Sequence, residues 1–574
     1  SDESQFATAV FANDFRLFRK ALVWFQAEKT SPNANILAGE LPQEKRQRFA
    51  DLLGWPSDFS AWRRLIDFIL RRIPDIPQRL YPEIVAIFEV WQNALADLRN
   101  PTSRAILQQC ATWLSAIDAI STADGPDENS AYWGEVPGLG ALSKSLSQLL
   151  LRSSRVEPNF AAGYLQRVTD SERIRDDAFH DIITFSPVLA QSLPQSLVDL
   201  SLAFLQEELP ADQVVREEQK LQAVSVWRKR ISAKPAAERT PQEQRALSTA
   251  PFLHTIGDFN RHDWNRLSIH DDYRCFSPAS PLREPFHSLF QSSPNEALRL
   301  LRELCNHAMN AWRQLHRYSH DRDGTPIPLD LTFPWGSQRF WGTDREYLWF
   351  RSTWAPNAIG CGFFALEEWC FAELARGRPV DELIQQCVEG NECIAVLGIA
   401  VIIALHTETV SEATLPLITS QRLLAADHDR WTQDLSPLAS LIGFTSRTDK
   451  PHAEAIRAAN NRQIRKTELK WMVPRFVFST GPIRDRSREA ILNFKNDLPF
   501  QYEEHRNNQR AREHLTVQAL EFAELANPEN YQAYRTKDNS EQISIVHVSP
   551  SAAKPEKVAR AEEASRWLKQ TGLW

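Results

Sequence analysis

The segment from Phe363 to Leu405 leaves this chain the least conformational choice. Three helical patterns follow one another with almost no linker: FFALEEWCFAELA closed by Gly377, VDELIQQCV after Pro379 and closed by Gly390, then ECIAVLGIAVIIAL. Glycine past a helix end and proline in its first turn are the residues a helix tolerates there, so the punctuation predicts three helices joined by tight turns. The third pattern is apolar all round, which requires a stack of other helices covering every face. Its apolar run, Ile394 to Leu405, is twelve residues long and too short to span a bilayer.

The same texture recurs along the chain. Leu17, Phe18, Ala21, Leu22 and Phe25 fall three and four apart, and so do the apolar residues of 62–70, 84–95 and 106–117. In 181–205, Pro187 and Pro194 open helices. In 294–316, Ser293 and Glu296 form a capping-box pattern, Pro294 takes the first helical position, and Ala297, Leu301, Leu304, Ala308, Trp312 and Leu315 make one apolar stripe. Glycine is scarce, 19 of 574 residues, less than half of the usual ~7%, which disfavours folds built on tight turns or phosphate loops. The expected fold is mostly α: a helical-repeat array of HEAT or tetratricopeptide type without a strict period, carrying small β insertions.

Turn-rich or polar stretches at 122–140, 233–245 and 444–452 divide the chain into an N-terminal helical region (1–121), a helical-repeat segment (141–232), a central array (246–443) and a C-terminal helical region (453–574). The central array holds an aromatic-rich insertion at 324–354, read as short strands or an ordered loop. A short β element is expected near 542–548, followed by a helix from about Pro555.

Several chemistries find no support. The net charge of −7 argues against coating of nucleic acid by the whole surface. Seven cysteines, an odd number, do not make a disulfide framework and suit a reducing compartment, the cytoplasm. The first twenty residues are mixed polar and apolar, unlike a secretory leader. No P-loop occurs: GLGALSKS (138–145) has Ser143 where glycine should precede Lys144, and a loop running into a helix explains it. Nucleophile-elbow, zincin and CxxC motifs are missing, and Cys361, Cys370, Cys387 and Cys393 read as core thiols. His316 and His320, with Asp321 and Asp323, could offer metal ligands, but a helix end followed by a turn explains them, and His307 reads as a core histidine. No metal and no cofactor is expected. Glu367 and Glu368 are placed on the solvent side of their helix.

Two stretches could recognise a partner. Trp335, Phe340, Trp341, Tyr347, Trp349, Phe350, Trp354 and Trp369 are interleaved with Arg339, Arg345 and Arg351, and exposed Trp, Tyr and Arg are what binding hot spots use; packing of an insertion onto the helices is the other reading. Between Arg457 and Lys495 ten basic residues face three acidic ones, either a solvated face or a surface for an anionic partner, with Arg462, Arg465, Lys466 and Lys470 sharing one helical side.

The segments PFHSLFQSSPNEALRLLRELCNHAMNAWRQLH (285–316) and ALEEWCFAELARGRPVDELIQQCVEGNECIAVLGIAVIIAL (365–405) resemble the helical region that follows the NTPase in bacterial STAND-type proteins, including Avs-type antiviral sensors. The resemblance covers about 285–410 and, more loosely, 500–550. It implies a chain that is part of a longer polypeptide, whose effector and P-loop NTPase lie outside this sequence and whose array recognises a phage protein and triggers self-assembly. The resemblance carries no functional residue over position by position. The expected function is therefore non-enzymatic recognition of a protein ligand, away from membranes. Contacts are expected from exposed members of Trp335, Arg339, Trp341, Arg345 and Trp349, with Arg462, Arg465 and Lys466 as a second, electrostatic site. The alternatives are an α-helical enzyme with an aromatic-lined pocket, acting on a glycan or nucleotide, and a nucleic-acid scaffold using 457–495.

Overall fold

The computed structural model describes residues 59–122, 138–248, 259–318, 324–435, 443–444, 449–535, 543–548 and 550, apart from 77, 96, 97 and 271. The helices expected around Leu17–Phe25 and from Pro555 lie outside the described residues, as do His320, Asp321 and Asp323. What is described is mostly helical, with two short antiparallel hairpins. None of its helices is long and apolar enough to cross a membrane. The chain divides into two compact units, one running to Phe204 and including Gln291–Glu296, the other formed by Leu205–Phe290 and Ala297 onward.

In the first unit, helices Tyr81–Ala94, Pro101–Thr122 and Leu139–Arg152 pack through Ile84, Phe88, Leu107, Leu114, Leu146 and Leu150, all fully buried. Tyr81 stacks on Trp113 at 4.3 Å. The string GLGALSKS is a helix start, as its sequence suggests: Gly138 precedes Leu139–Arg152, and Lys144 pairs with Asp181 at 2.6 Å. Pro187 and Pro194 sit in the first turns of Ser186–Ser192 and Pro194–Leu205.

The second unit is organised by helices α1 (Pro294–Tyr318, entering from the first unit), α2 (Asn357–Ala375), α3 (Val380–Val388), α4 (Ala395–Thr407) and α5 (Gln421–Asp434). The α1 stripe is buried as its spacing requires. Turns fall at Gly377 and Gly390, and every residue of α4 from Ala395 to Leu405 is buried. Within α4, Gly398 is the point of closest approach: a Cβ there would lie 2.2 Å from the ring of Phe350. Cys361, Cys370, Cys387 and Cys393 are buried thiols. His307 is a hydrogen-bonded, half-buried histidine whose Nε2 donates to the Glu207 carbonyl at 2.9 Å.

The insertion folds as a hairpin, β1 (Leu329–Phe333) against β2 (Gly336–Phe340), with Leu329 opposite Phe340 and Asp330 opposite Arg339. Leu331, Phe333 and Phe340 point into the core; Thr332, Ser337 and Arg339 face solvent, the alternation of a half-covered sheet. A second antiparallel pair is formed by β3 (Tyr531–Arg535) and β4 (Ile543–His547); β4 lies in the segment where a β element is expected, and β3 lies where none is expected.

Candidate functional site

The β1–β2 hairpin is clamped at both ends by one side chain. Arg422 of α5, 4% exposed, donates to the carbonyls of Ile327, at 2.9 Å, and Gly342. Gly342 permits this closure: its φ is +112°, and a Cβ would meet Glu346 and Ile394 at 2.8 Å. Beyond the hairpin, Trp341 N–H donates to the Glu392 carbonyl at 2.7 Å and Ile394 N–H returns a bond to the Trp341 carbonyl at 2.9 Å. The fixed scaffold then decides which aromatic and basic residues reach solvent.

Trp335 is half-buried in the hairpin turn, stacked on Phe333 at 4.6 Å, and its Nε1 donates to Gln338 at 2.6 Å. Arg339 is exposed and makes a two-pronged pair with Asp330 at 2.8 and 3.0 Å; because both side chains are well exposed, water screens the pair and it contributes little to stability. Trp341 is half-buried, with the Arg313 guanidinium 4.9 Å from its ring centroid. Arg313, Gln338, Arg339, Trp341, Gly390, Asn391 and Glu392 line a hollow of about 340 Å³. Two expected contact residues, Arg339 and Trp341, therefore line one solvent-facing hollow, and Trp335 reaches it only through its bond to Gln338.

Trp349 does not. It is 1% exposed, and its assignment as a contact is corrected to core. The cause is local: Thr343 and Glu346 form a capping box, Glu346 accepting from the Thr343 N–H at 2.8 Å and hydroxyl at 2.6 Å, and the chain then tightens into a 3₁₀ turn at Leu348–Arg351. This sequence of turns carries Tyr347, Leu348, Trp349, Phe350 and Arg351 inward.

The electrostatic site is also redrawn. The helix Lys450–Asn460 stops, and Gln463–Lys466 and Leu469–Met472 are separate 3₁₀ turns, so Arg462, Arg465, Lys466 and Lys470 share no helical face. Arg465 is 1% exposed and pairs with Glu367, also 1% exposed, which overturns the solvent-side placement of Glu367. Half-buried Arg462 holds Glu367 at 2.8 Å and Glu368 at 2.6 Å. Asp434 joins the same network, accepting from Arg351 at 2.8 Å and Arg430 at 3.2 Å, while Arg430 also grips Asp427. Lys466 alone of the three expected residues is exposed. Lys470, Arg475 and Arg486 pair with Glu468, Glu408 and Glu412, which removes much of the stretch's attraction for a polyanion.

Arg345, exposed, belongs to a different cleft of about 670 Å³, lined by Arg261, Asn265, Asp344, Arg345, Leu348, Trp354, Asp429, Thr432 and Gln433. Its guanidinium lies 5.0 Å from the ring centroid of Trp354, which is 60% exposed. Trp354 adopts φ = +64° and Ser352 φ = +58°, a left-handed backbone that bulky side chains seldom occupy and that concentrates at functional sites. Asp344 accepts from Gln501 through Oδ2 at 2.5 Å, while its Oδ1 is buried without a hydrogen-bond partner. Burial pushes the Asp344 carboxyl above the ordinary range, and partial burial does the same to Asp429. The pair formed by Asp344 and Asp429 escaped sequence reasoning because the two residues lie far apart in the chain. The T-x-x-E pattern at 343–346 is the signal that could have located the turn presenting Arg345.

No family model matches the chain, and no curated protein is detectably similar to it.

Proposed function

We propose that this chain is a protein-recognition module, the sensor region of a larger STAND-type NTPase of antiphage defence, and that it reads a phage protein with the solvent face of the β1–β2 hairpin. The observation that carries this reading is the combination of a hairpin clamped by Arg422 with Arg339 and Trp341 lining one hollow and Trp335 bonded to Gln338 in its wall. A preformed aromatic and arginine surface binds at low entropic cost. The helices form a helical-repeat array in the cytoplasm, and ligand capture triggers self-assembly of the full-length protein. The mostly helical chain and the helical run from α2 to α4 support the array.

The experiment is affinity capture by the purified chain from phage-infected and uninfected bacterial lysates, beside the Arg339→Ala/Trp341→Ala variant. One phage protein retained by the wild-type chain and lost by the variant is the expected result. Identical captures, or ATP binding by this chain alone, would count against the sensor reading. A complete coding sequence with a P-loop upstream would favour it further. A second reading, an α-helical enzyme with an aromatic-lined pocket, draws on the Trp354 cleft; turnover of a ligand bound there would replace the sensor assignment.

A further inference from the structure

The Trp354 cleft has a chemistry unlike that of the hairpin surface. Its charged lining is balanced, Asp344 and Asp429 against Arg261 and Arg345, so it exerts no net pull on an anion or a cation. Among the described residues none of these four forms an ion pair, although the charge of the buried Arg422 guanidinium acts on Asp344. Carboxylate, guanidinium and the amides of Asn265 and Gln433 are planar groups that present two polar atoms side by side, the spacing that engages two adjacent hydroxyls of one ring. Trp354 adds an apolar ring face suited to the C–H face of such a ligand. The volume falls within the ~300–1,000 Å³ range of small-molecule sites.

We propose that this cleft binds a neutral sugar ring with vicinal hydroxyls, stacked on Trp354 and hydrogen-bonded by Asp344, Asp429 and Arg345. Oδ1 of Asp344, unpartnered but closed to solvent in the unliganded chain, receives one hydroxyl proton once the carboxyl turns into the cleft. The left-handed backbone at Trp354 fits the same role: the fold tolerates a conformation in which glycine would be easier, and gains an exposed indole at the cleft. Two sources share this chemistry, a saccharide and the ribose of a nucleoside.

The test is saturation-transfer NMR and calorimetry on the full chain with maltotriose, N,N′,N″-triacetylchitotriose and adenosine as probes, with spermidine and tripolyphosphate as charged controls. Binding by a saccharide probe identifies a saccharide source, and binding by adenosine a ribose source. In either case Trp354→Gly and Asp344→Asn should each weaken binding about tenfold or more, whereas Trp227→Ala, on the exposed helix Pro210–Ser232, should not. Trp354→Gly should melt no lower than wild type, because glycine accepts φ = +64° freely. The proposal is overturned if no sugar-bearing probe binds at millimolar concentration, if binding survives both cleft substitutions, or if the site prefers spermidine or tripolyphosphate.

Discussion

Replacing Glu367 with alanine should be among the most damaging single changes in the second unit. The side chains of Glu367 and Arg465 are each 1% exposed. The carboxylate accepts from Arg465 and from Arg462, the latter at 2.8 Å. In the intact network the buried guanidinium groups of Arg351, Arg430 and Arg465 face the carboxylates of Asp427, Asp434 and Glu367. Without Glu367, the nearest remaining anion to Arg465 is Asp434, at 3.7 Å and already shared with Arg351 and Arg430. Leaving one member of a buried pair uncompensated costs about 3–5 kcal/mol, while loss of the partly exposed Arg462 contact adds at most ~1 kcal/mol. At about 2–4 °C per kcal/mol for a mid-sized domain, the melting temperature should fall by about 10 °C.

The assay is calorimetry on wild type, Glu367→Ala and the double variant Glu367→Met/Arg465→Leu. The double variant removes both charges and should recover most of the loss. Burial opposes ionisation of Glu367, yet Arg465, Arg351 and Arg462 outweigh it and hold the carboxyl below its ordinary range. Its stabilisation is therefore complete above the unfolded value of about 4.3 and disappears as pH falls through the folded one. The gap between wild type and Glu367→Ala should narrow over that interval. A Glu367→Ala protein that melts with wild type at neutral pH, or a double variant no better than the single, would refute the reasoning.

Arg422→Lys keeps the charge but replaces a fork with a single ammonium that cannot serve both Ile327 and Gly342. Amide exchange should quicken about tenfold or more across 329–341, consistent with loss of a charge-assisted hydrogen bond, and stay unchanged across 395–407; uniform exchange would contradict the clamp. Gly398→Ala drives a methyl into the Phe350 ring and should cost about 1–3 kcal/mol in denaturant unfolding. Phe350→Leu should restore part of that loss, and a neutral Gly398→Ala would show that the close approach carries no strain.

What the chain discloses by itself follows from the range of the forces involved. The α2–α4 run is legible because Gly377, Pro379, Gly390 and an unbroken apolar segment act over a few residues. Glu367 and Glu368 are adjacent and alike, and local periodicity could not tell them apart. Their difference arises when Arg465 and Arg462 arrive from a distant segment, one turned inward by a 3₁₀ turn. The tryptophans divide for a similar reason. Trp349 follows a capping box and goes inside, Trp354 follows a left-handed turn and stays out, and Trp335 and Trp341 stop halfway on a hairpin whose clamp comes from α5. Residue type announced an aromatic surface; backbone geometry chose its members.

Recognition through the hairpin is tested most directly by calorimetric titration of the captured phage protein against purified wild-type, Arg339→Ala/Trp341→Ala and Trp227→Ala chains. The double variant should bind about 30-fold more weakly or worse, a loss of ~2 kcal/mol, while Trp227→Ala binds as wild type and all three chains melt alike. Equal affinity in the three chains, or no phage protein retained at all, would contradict it.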